Sequence, residues 1–159
     1  MLARVEITFR LNGRNVTAEV PIDCTLIDML RHEFGLQSPR LGCGEGECGS
    51  CTVMIDTDAR ASYLTLAVDV MGREVLTSEG LAEAGGLAAA VPEELEAAGA
   101  VQCGYCMPGM AVAGAAFLLS HDGEASRSEI ERALEGNLCR CTGYVKAVDA
   151  IAAASRREA

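Results

Sequence analysis

Cys43, Cys48 and Cys51 stand in the run Gly42-Cys43-Gly44-Glu45-Gly46-Glu47-Cys48-Gly49-Ser50-Cys51, at C-x4-C-x2-C spacing. Thiolates are ligands for soft metal centres, and this spacing opens the plant-type [2Fe–2S] pattern, which takes a fourth cysteine further along the chain. The glycines between them suit a loop that curls until its backbone N–H groups point at sulfur, through angles a Cβ would forbid. A second set follows, Cys103-Gly104-Tyr105-Cys106 and Cys139-Arg140-Cys141. Seven of the eight cysteines thus sit at metal-ligand spacing, and the first set is one thiolate short of four.

The second set has two readings. Cys103 and Cys106 precede one expected helix, and Cys139 and Cys141 precede another. Helix N-termini carry free N–H groups and a positive dipole end, both of which favour thiolates. Two such ends facing each other would make a four-thiolate pocket for an iron–sulfur cluster. Structural zinc also takes four cysteines in CxxC arrangements, though CxC is less usual in zinc ribbons. Spacing alone favours iron–sulfur and leaves zinc open.

The elements that must position these loops read in two textures. Val5, Ile7, Phe9 and Leu11 alternate with polar residues as a half-buried strand, Asn12-Gly13 signals a hairpin turn, and Val16, Ala18 and Val20 continue a second strand. Thr25 is placed to cap a helix reaching about Phe34, stopped by Gly35. Pro39 opens the cysteine loop. Thr52 to Ile55, Leu64 to Val70 and Glu74 to Thr77 read as further strands of a small mixed sheet. From residue 80 the composition turns to Gly, Ala and Glu, and helices are expected near 93–99, 107–120, 126–135 and 144–155. Pro92 lies early in the first of these, Pro108 in the first turn of the second, and Ser126 with Glu129 forms a capping box on the third. The predicted fold class is α+β: a ferredoxin-like unit over 1–79, then a small four-helix bundle over 80–159. Units of about 80 residues are near the size at which metal staples help a core.

Composition narrows the function. The net charge is −10, from 23 acidic and 13 basic residues, and no basic patch of the kind nucleic acid or an anionic membrane needs is present. No apolar run approaches the roughly 20 residues that span a bilayer. The N-terminal Met-Leu-Ala-Arg-Val-Glu-Ile has no signal core or twin-arginine pair, so the chain is expected to be cytoplasmic, where paired cysteines suggest metal or redox chemistry over disulfides. His32 and His121 are isolated. Nothing in the chain reads as a hydride-, phosphoryl- or acyl-transfer site. With Trp absent and aromatics at 4%, a nucleobase-stacking platform is also out.

Three stretches, GCGEGECGSCTV (42–53), QCGYCMPG (102–109) and GNLCRCTGY (136–144), resemble in order the iron–sulfur subunit of the molybdenum hydroxylases. That family includes xanthine dehydrogenase, aldehyde oxidoreductase and aerobic carbon monoxide dehydrogenase. The resemblance covers essentially the whole chain. It implies a plant-type ferredoxin-like (β-grasp) domain and a four-helix domain, each with one [2Fe–2S] cluster. It further implies an electron relay between molybdopterin on a large partner subunit and FAD on a medium one, in a heterotrimer or a dimer of heterotrimers. By position, Cys103, Cys106, Cys139 and Cys141 would ligate the cluster nearer molybdenum, and Gln102 would contact the pterin. Cys43, Cys48 and Cys51 would ligate the other cluster. The chain departs from the family where a fourth ligand is expected, because Tyr63 stands at the place of that cysteine. Tyr63, Asp56, Asp58 or Ser62 could offer oxygen, Cys24 could swing in, or the site could hold a different cluster or none. The expectation is an intact [2Fe–2S] cluster with one non-cysteine ligand, and Cys24 buried and inert. The competing functions are a free-standing electron carrier or redox sensor, and a zinc-stabilised interaction module.

Overall fold

The computed structural model describes residues 3–157. β1 (Arg4–Leu11) and β2 (Arg14–Pro21) pair antiparallel, with Leu11 opposite Arg14. Asn12 and Gly13 between them both have positive φ, at 48° and 78°, as a tight two-residue hairpin turn requires. β3 (Thr52–Ile55), β4 (Asp58–Ala61) and β5 (Glu74–Leu76) complete a five-stranded sheet in the order β2-β1-β5-β3-β4. β5 runs parallel to β1 and antiparallel to β3. α1 (Leu26–His32) packs on the sheet, its first turn held by the Asp28 N–H donating to Thr25 Oγ1 at 3.3 Å. Its end is closed by the Leu36 N–H reaching back to the Leu30 carbonyl across Gly35, whose φ is 67°. Ile7, Phe9, Val20, Leu26, Met29 and Leu30 form the heart of this first core.

Two sequence expectations change here. The stretch Leu64–Val70 is not a strand but two 3-10 turns, Ser62–Leu64 and Ala67–Val70. Its apolar alternation misleads because Leu64 and Leu66 are exposed, whereas Ala67 and Val70, three apart, are the buried pair. The strand that does form, β4, is exposed at Asp58, Ala59 and Arg60, so it carries no buried alternation to read.

The helical half contains α2 (Leu81–Ala84), α3 (Gly86–Ala97), α4 (Met107–Ser120), α5 (Arg127–Ala133) and α6 (Val145–Ala154). α3 begins at Gly86 rather than near 93 and carries Pro92 within it. Ala88, Val91 and Leu95 are buried on one face at helical spacing, and that burial outweighs the one hydrogen bond the proline cannot donate. α5 starts at the expected capping box, with the Ser126 N–H donating to Glu129 Oε2 at 2.9 Å. α4 is apolar nearly all round and is the central helix, packed against α3, α5, β3 and β4. Among the described residues, no helix is long and apolar enough to cross a membrane.

β3 joins the two cores. Successive residues of a strand face opposite ways. Val53 and Ile55 enter the first core, and Met54 between them enters the helical core that also holds Met110. The strand that leaves the first cysteine loop is therefore also the floor on which α4 rests.

Candidate metal centres

The first cysteine loop is closed at its neck by the Arg40 N–H donating to the Ser50 carbonyl at 3.1 Å. Gly44, Gly46 and Gly49 within it have φ of 68°, 85° and 68°. These turns direct backbone N–H groups inward, and Glu45 N–H donates to Cys43 Sγ at 3.4 Å. The N–H groups of Glu45, Cys48 and Glu47 hold the Cys43 thiol down to about 6, in the thiolate range that iron needs. Cys48 Sγ lies 2.8 Å from Ser50 Oγ, and Cys51 is buried at the start of β3. With Cys43 lined by N–H donors, the three cysteines offer three of the four ligands that a [2Fe–2S] cluster takes.

Tyr63 lies against this loop. Its hydroxyl is 4.0 Å from where a Cβ on Gly44 would stand, and Leu64 covers Gly46 so closely that a Cβ there would overlap Leu64 Cδ1. Ser62 is fully buried, its hydroxyl donating to the Cys51 carbonyl at 2.6 Å. Asp56 is at the β3–β4 turn, accepting from Arg73 Nε at 2.8 Å and Glu74 N–H at 3.1 Å, and these contacts hold its carboxyl below the usual range. Asp58 pairs with Arg60 at 2.8 Å. Cys24 donates to the Thr25 carbonyl at 3.4 Å and packs on the first core, where burial raises its thiol.

The second set comes from two segments. Cys103 and Cys106 lead into α4, with Cys106 at its N-cap. Cys139 and Cys141 lie in the loop that reaches α6 through Tyr144, whose left-handed φ of 69° turns the chain. The four sulfurs meet as two pairs. Cys103 and Cys141 Sγ are 3.6 Å apart, and Cys106 and Cys139 form the other pair. Each pair splits in acidity. Cys103 is lowered by the Tyr105 N–H and by Cys141, while Cys141 is raised by its bond to Cys103. Burial would raise Cys139, but the Thr142 hydroxyl at 3.1 Å and the N–H groups of Cys141 and Thr142 bring it down to about 7. Burial, and then Cys139 itself, push Cys106 up to about 12.

Among the described residues, no three Cys, His, Asp or Glu side chains converge on a point that a single metal ion could occupy. Four thiols meeting in two pairs suit a two-iron cluster, which takes two thiolates on each iron.

The two loops touch. Leu138 N–H donates to the Cys48 carbonyl at 2.9 Å, and Leu138 is the neighbour of Cys139. The buried Asn137 amide donates to the Gly49 carbonyl at 3.0 Å. Arg40 donates to the Gly104 carbonyl at 2.5 Å and lies over the Tyr105 ring, 5.3 Å from its centroid, while the Tyr105 hydroxyl donates to the Leu41 carbonyl at 2.8 Å. A cavity of about 310 Å³ between them is lined by Cys43 and Cys48 on one side and by Cys103, Cys106, Cys139 and Cys141 on the other. Gln102 is exposed beside Cys103. The bracketing residues Arg40, Asn137, Leu138 and Thr142 escape sequence reasoning. Only Thr142, three residues after Cys139 and bearing a hydroxyl, has a spacing that could have marked it.

Residues 9–78 match the family described as 2Fe-2S iron-sulfur cluster binding domain, and residues 77–152 the family described as [2Fe-2S] binding domain. The chain is 43% identical over 143 residues to the nicotinate dehydrogenase small FeS subunit of Eubacterium barkeri, covering 90% of each. It is 40% identical over 148 residues to the xanthine dehydrogenase iron-sulfur-binding subunit of Escherichia coli O157:H7, covering 92% of each. Among solved structures, it superposes on a chain of quinoline 2-oxidoreductase from Pseudomonas putida 86 with TM-score 0.86 at 36% identity, covering 95% of this chain and 94% of that one. The aldehyde oxidoreductase of Desulfovibrio gigas gives TM-score 0.87 at 29% identity, with 95% of this chain matching 17% of that longer one.

Proposed function

The chain belongs to the iron–sulfur subunits of the molybdenum hydroxylases, and on that premise we propose that it relays electrons from molybdopterin on a large partner subunit towards FAD, or another acceptor, on a second partner. It binds no substrate itself. The unit 1–79 would hold one [2Fe–2S] cluster through Cys43, Cys48 and Cys51, and the unit 80–159 the other through Cys103, Cys106, Cys139 and Cys141. When bound, the clusters supply one-electron transfer. The protein's part is to space them, shield them and set their charge.

The observation that carries this reading is the hydrogen bond from Leu138 N–H to the Cys48 carbonyl, 2.9 Å. It joins a cysteine of one set to the neighbour of a cysteine of the other. A lone carrier needs one cluster and no second unit bracketed to it. The donors around Cys43 and Cys139 favour thiolate, and so support bound iron at both places. Tyr105 and Leu138 line the cavity as exposed large side chains, and Leu41 and Val101, next in sequence to the cysteine loops, are exposed too, as expected of a face that a partner subunit covers. Gln102, at the same face, would contact the pterin. The assembly would be a heterotrimer, or two of them.

The test is metal and acid-labile sulfide analysis of the chain purified with its partners, with EPR after dithionite reduction. About four irons per chain and two rhombic signals are expected, in a complex that also contains molybdenum. Zinc in the second set, or a chain that purifies alone with no molybdenum protein, would overturn the relay.

A further inference from the structure

The first loop offers three thiolates where a plant-type [2Fe–2S] centre takes four ligands. The structure lets each nearby donor be checked. Cys24 is packed on the first core and bonded to Thr25. Asp56 is at the far end of β3 from Cys51, about 15 Å along the strand at the usual rise, and is held by Arg73 and Glu74. Asp58 is on the same distant turn, paired with Arg60. Ser62 spends its hydroxyl on the Cys51 carbonyl and is fully buried. Ser50 is inside the cysteine run, its Oγ already 2.8 Å from Cys48 Sγ.

Glu45 and Glu47 belong to the loop itself and are exposed, whereas Tyr63 is the donor that the fold lays across the loop. Ser62 anchors it beside Cys51, because both the N–H and the hydroxyl of Ser62 bond the Cys51 carbonyl. The 3-10 turn Ser62–Leu64 lays Tyr63 and Leu64 over Gly44 and Gly46 of the loop. Tyr105 and Tyr144 spend their hydroxyls on Leu41 and Cys139, whereas among the described residues the Tyr63 hydroxyl takes part in no hydrogen bond. A half-buried phenol, uncommitted and laid beside Gly44 of the cysteine loop, is placed to meet a metal held there.

We infer that Tyr63 is the fourth ligand of the first cluster, making it a centre of three thiolates and one phenolate. This rests on the reading that the first loop holds a cluster. On ligation the Tyr63 O–H bond would break, its proton would pass to solvent, and the phenolate oxygen would supply the fourth protein bond to iron. No electron moves in that step. Phenolate is a harder donor than thiolate and favours ferric iron, so this centre has a lower potential than its four-cysteine counterpart.

The experiment is resonance Raman on the partner-bound protein, natural and labelled with ring-deuterated tyrosine, with iron counts and EPR on wild type, Tyr63→Phe and Tyr63→Cys. Wild type is expected to show enhanced phenolate ring modes that shift with the label. Both variants should lose them, and Tyr63→Cys should keep a full iron count with an all-thiolate spectrum and a higher potential. The signal of the Cys103/Cys106/Cys139/Cys141 centre in the same samples reports that each variant is folded. A wild type with two clusters but no phenolate modes overturns the inference, as does a first site without iron while the second signal is intact. Loss of both signals in wild type would instead sink the relay reading itself.

Discussion

The side-chain amide of Asn137 donates to the carbonyl of Gly49 at 3.0 Å, across 88 residues of sequence. Asn137 is 5% exposed, and its amide also reaches Thr52 Oγ1 at 3.4 Å. The loop of the second cysteine set thus grips the loop of the first at the point where β3 begins. Asn137→Ala removes this bond while the Gly49 carbonyl keeps the N–H and hydroxyl of Thr52, so the loss is that of one net hydrogen bond, about 0.5–1.5 kcal/mol. Urea unfolding should show that loss. EPR of the reduced protein should show an altered magnetic interaction between the two centres, with the iron count unchanged. A variant with wild-type coupling would mean that Asn137 does not set their spacing.

A second contact at the same seam is made of backbone alone. A Cβ on Gly109, in the first turn of α4, would overlap the Gly49 carbonyl oxygen and press on Ser50 Cα at 3.3 Å. A backbone neighbour cannot swing away as a side chain could. Gly109→Ala should therefore cost about 1–3 kcal/mol, despite the better helix propensity of alanine. Thermal melting is the check, with Gly136→Ala as control, since nothing stands within 4 Å of a Cβ there.

What could be read without coordinates follows a physical divide. The hairpin was legible because Asn12-Gly13 is local chemistry, and α5 because Ser126 and Glu129 cap it within one turn. The C-x4-C-x2-C, CxxC and CxC spacings are legible because each is local, whereas the meeting of Cys103 with Cys141 joins segments 38 residues apart. Leu64–Val70 was misread because alternation in a short run does not reveal which side is wet. The grip of Asn137 on Gly49 and the close pass of Gly109 depend on how two units dock, which no window of sequence contains.

Glu79 gives a pH-dependent tie between the segment that follows β5 and the segment that follows α1. Its carboxylate accepts from the Gln37 N–H at 2.9 Å, the Ser38 N–H at 2.7 Å and the Thr77 hydroxyl at 2.7 Å. Desolvation works to raise its pKa, but the bonds from Ser38 and Thr77 prevail and lower it. A carboxyl with a lowered folded pKa stabilises the fold above its unfolded value, and that contribution is lost as pH falls through the folded one. Glu79→Gln should therefore melt below wild type at pH 7, and the gap should close as the pH drops below roughly 4. A gap that is constant from pH 7 to 3 would show that the charge has no part in it.

Thr142 offers a way to tune one centre alone. Its hydroxyl donates to Cys139 Sγ at 3.1 Å. Hydrogen bonds to ligand sulfur draw off negative charge and raise the potential of an iron–sulfur centre. Thr142→Val keeps the shape and removes the donor. An EPR-monitored redox titration should show the signal of the Cys139 centre moving to a more negative potential. The other signal should stay in place, because Cys43 takes its donors from Glu45, Cys48 and Glu47, in the other unit. Equal shifts in both centres would mean that the substitution acts through the fold and not through that bond. A shift confined to the Cys139 signal would place Thr142 among the groups that set the driving force between the two centres.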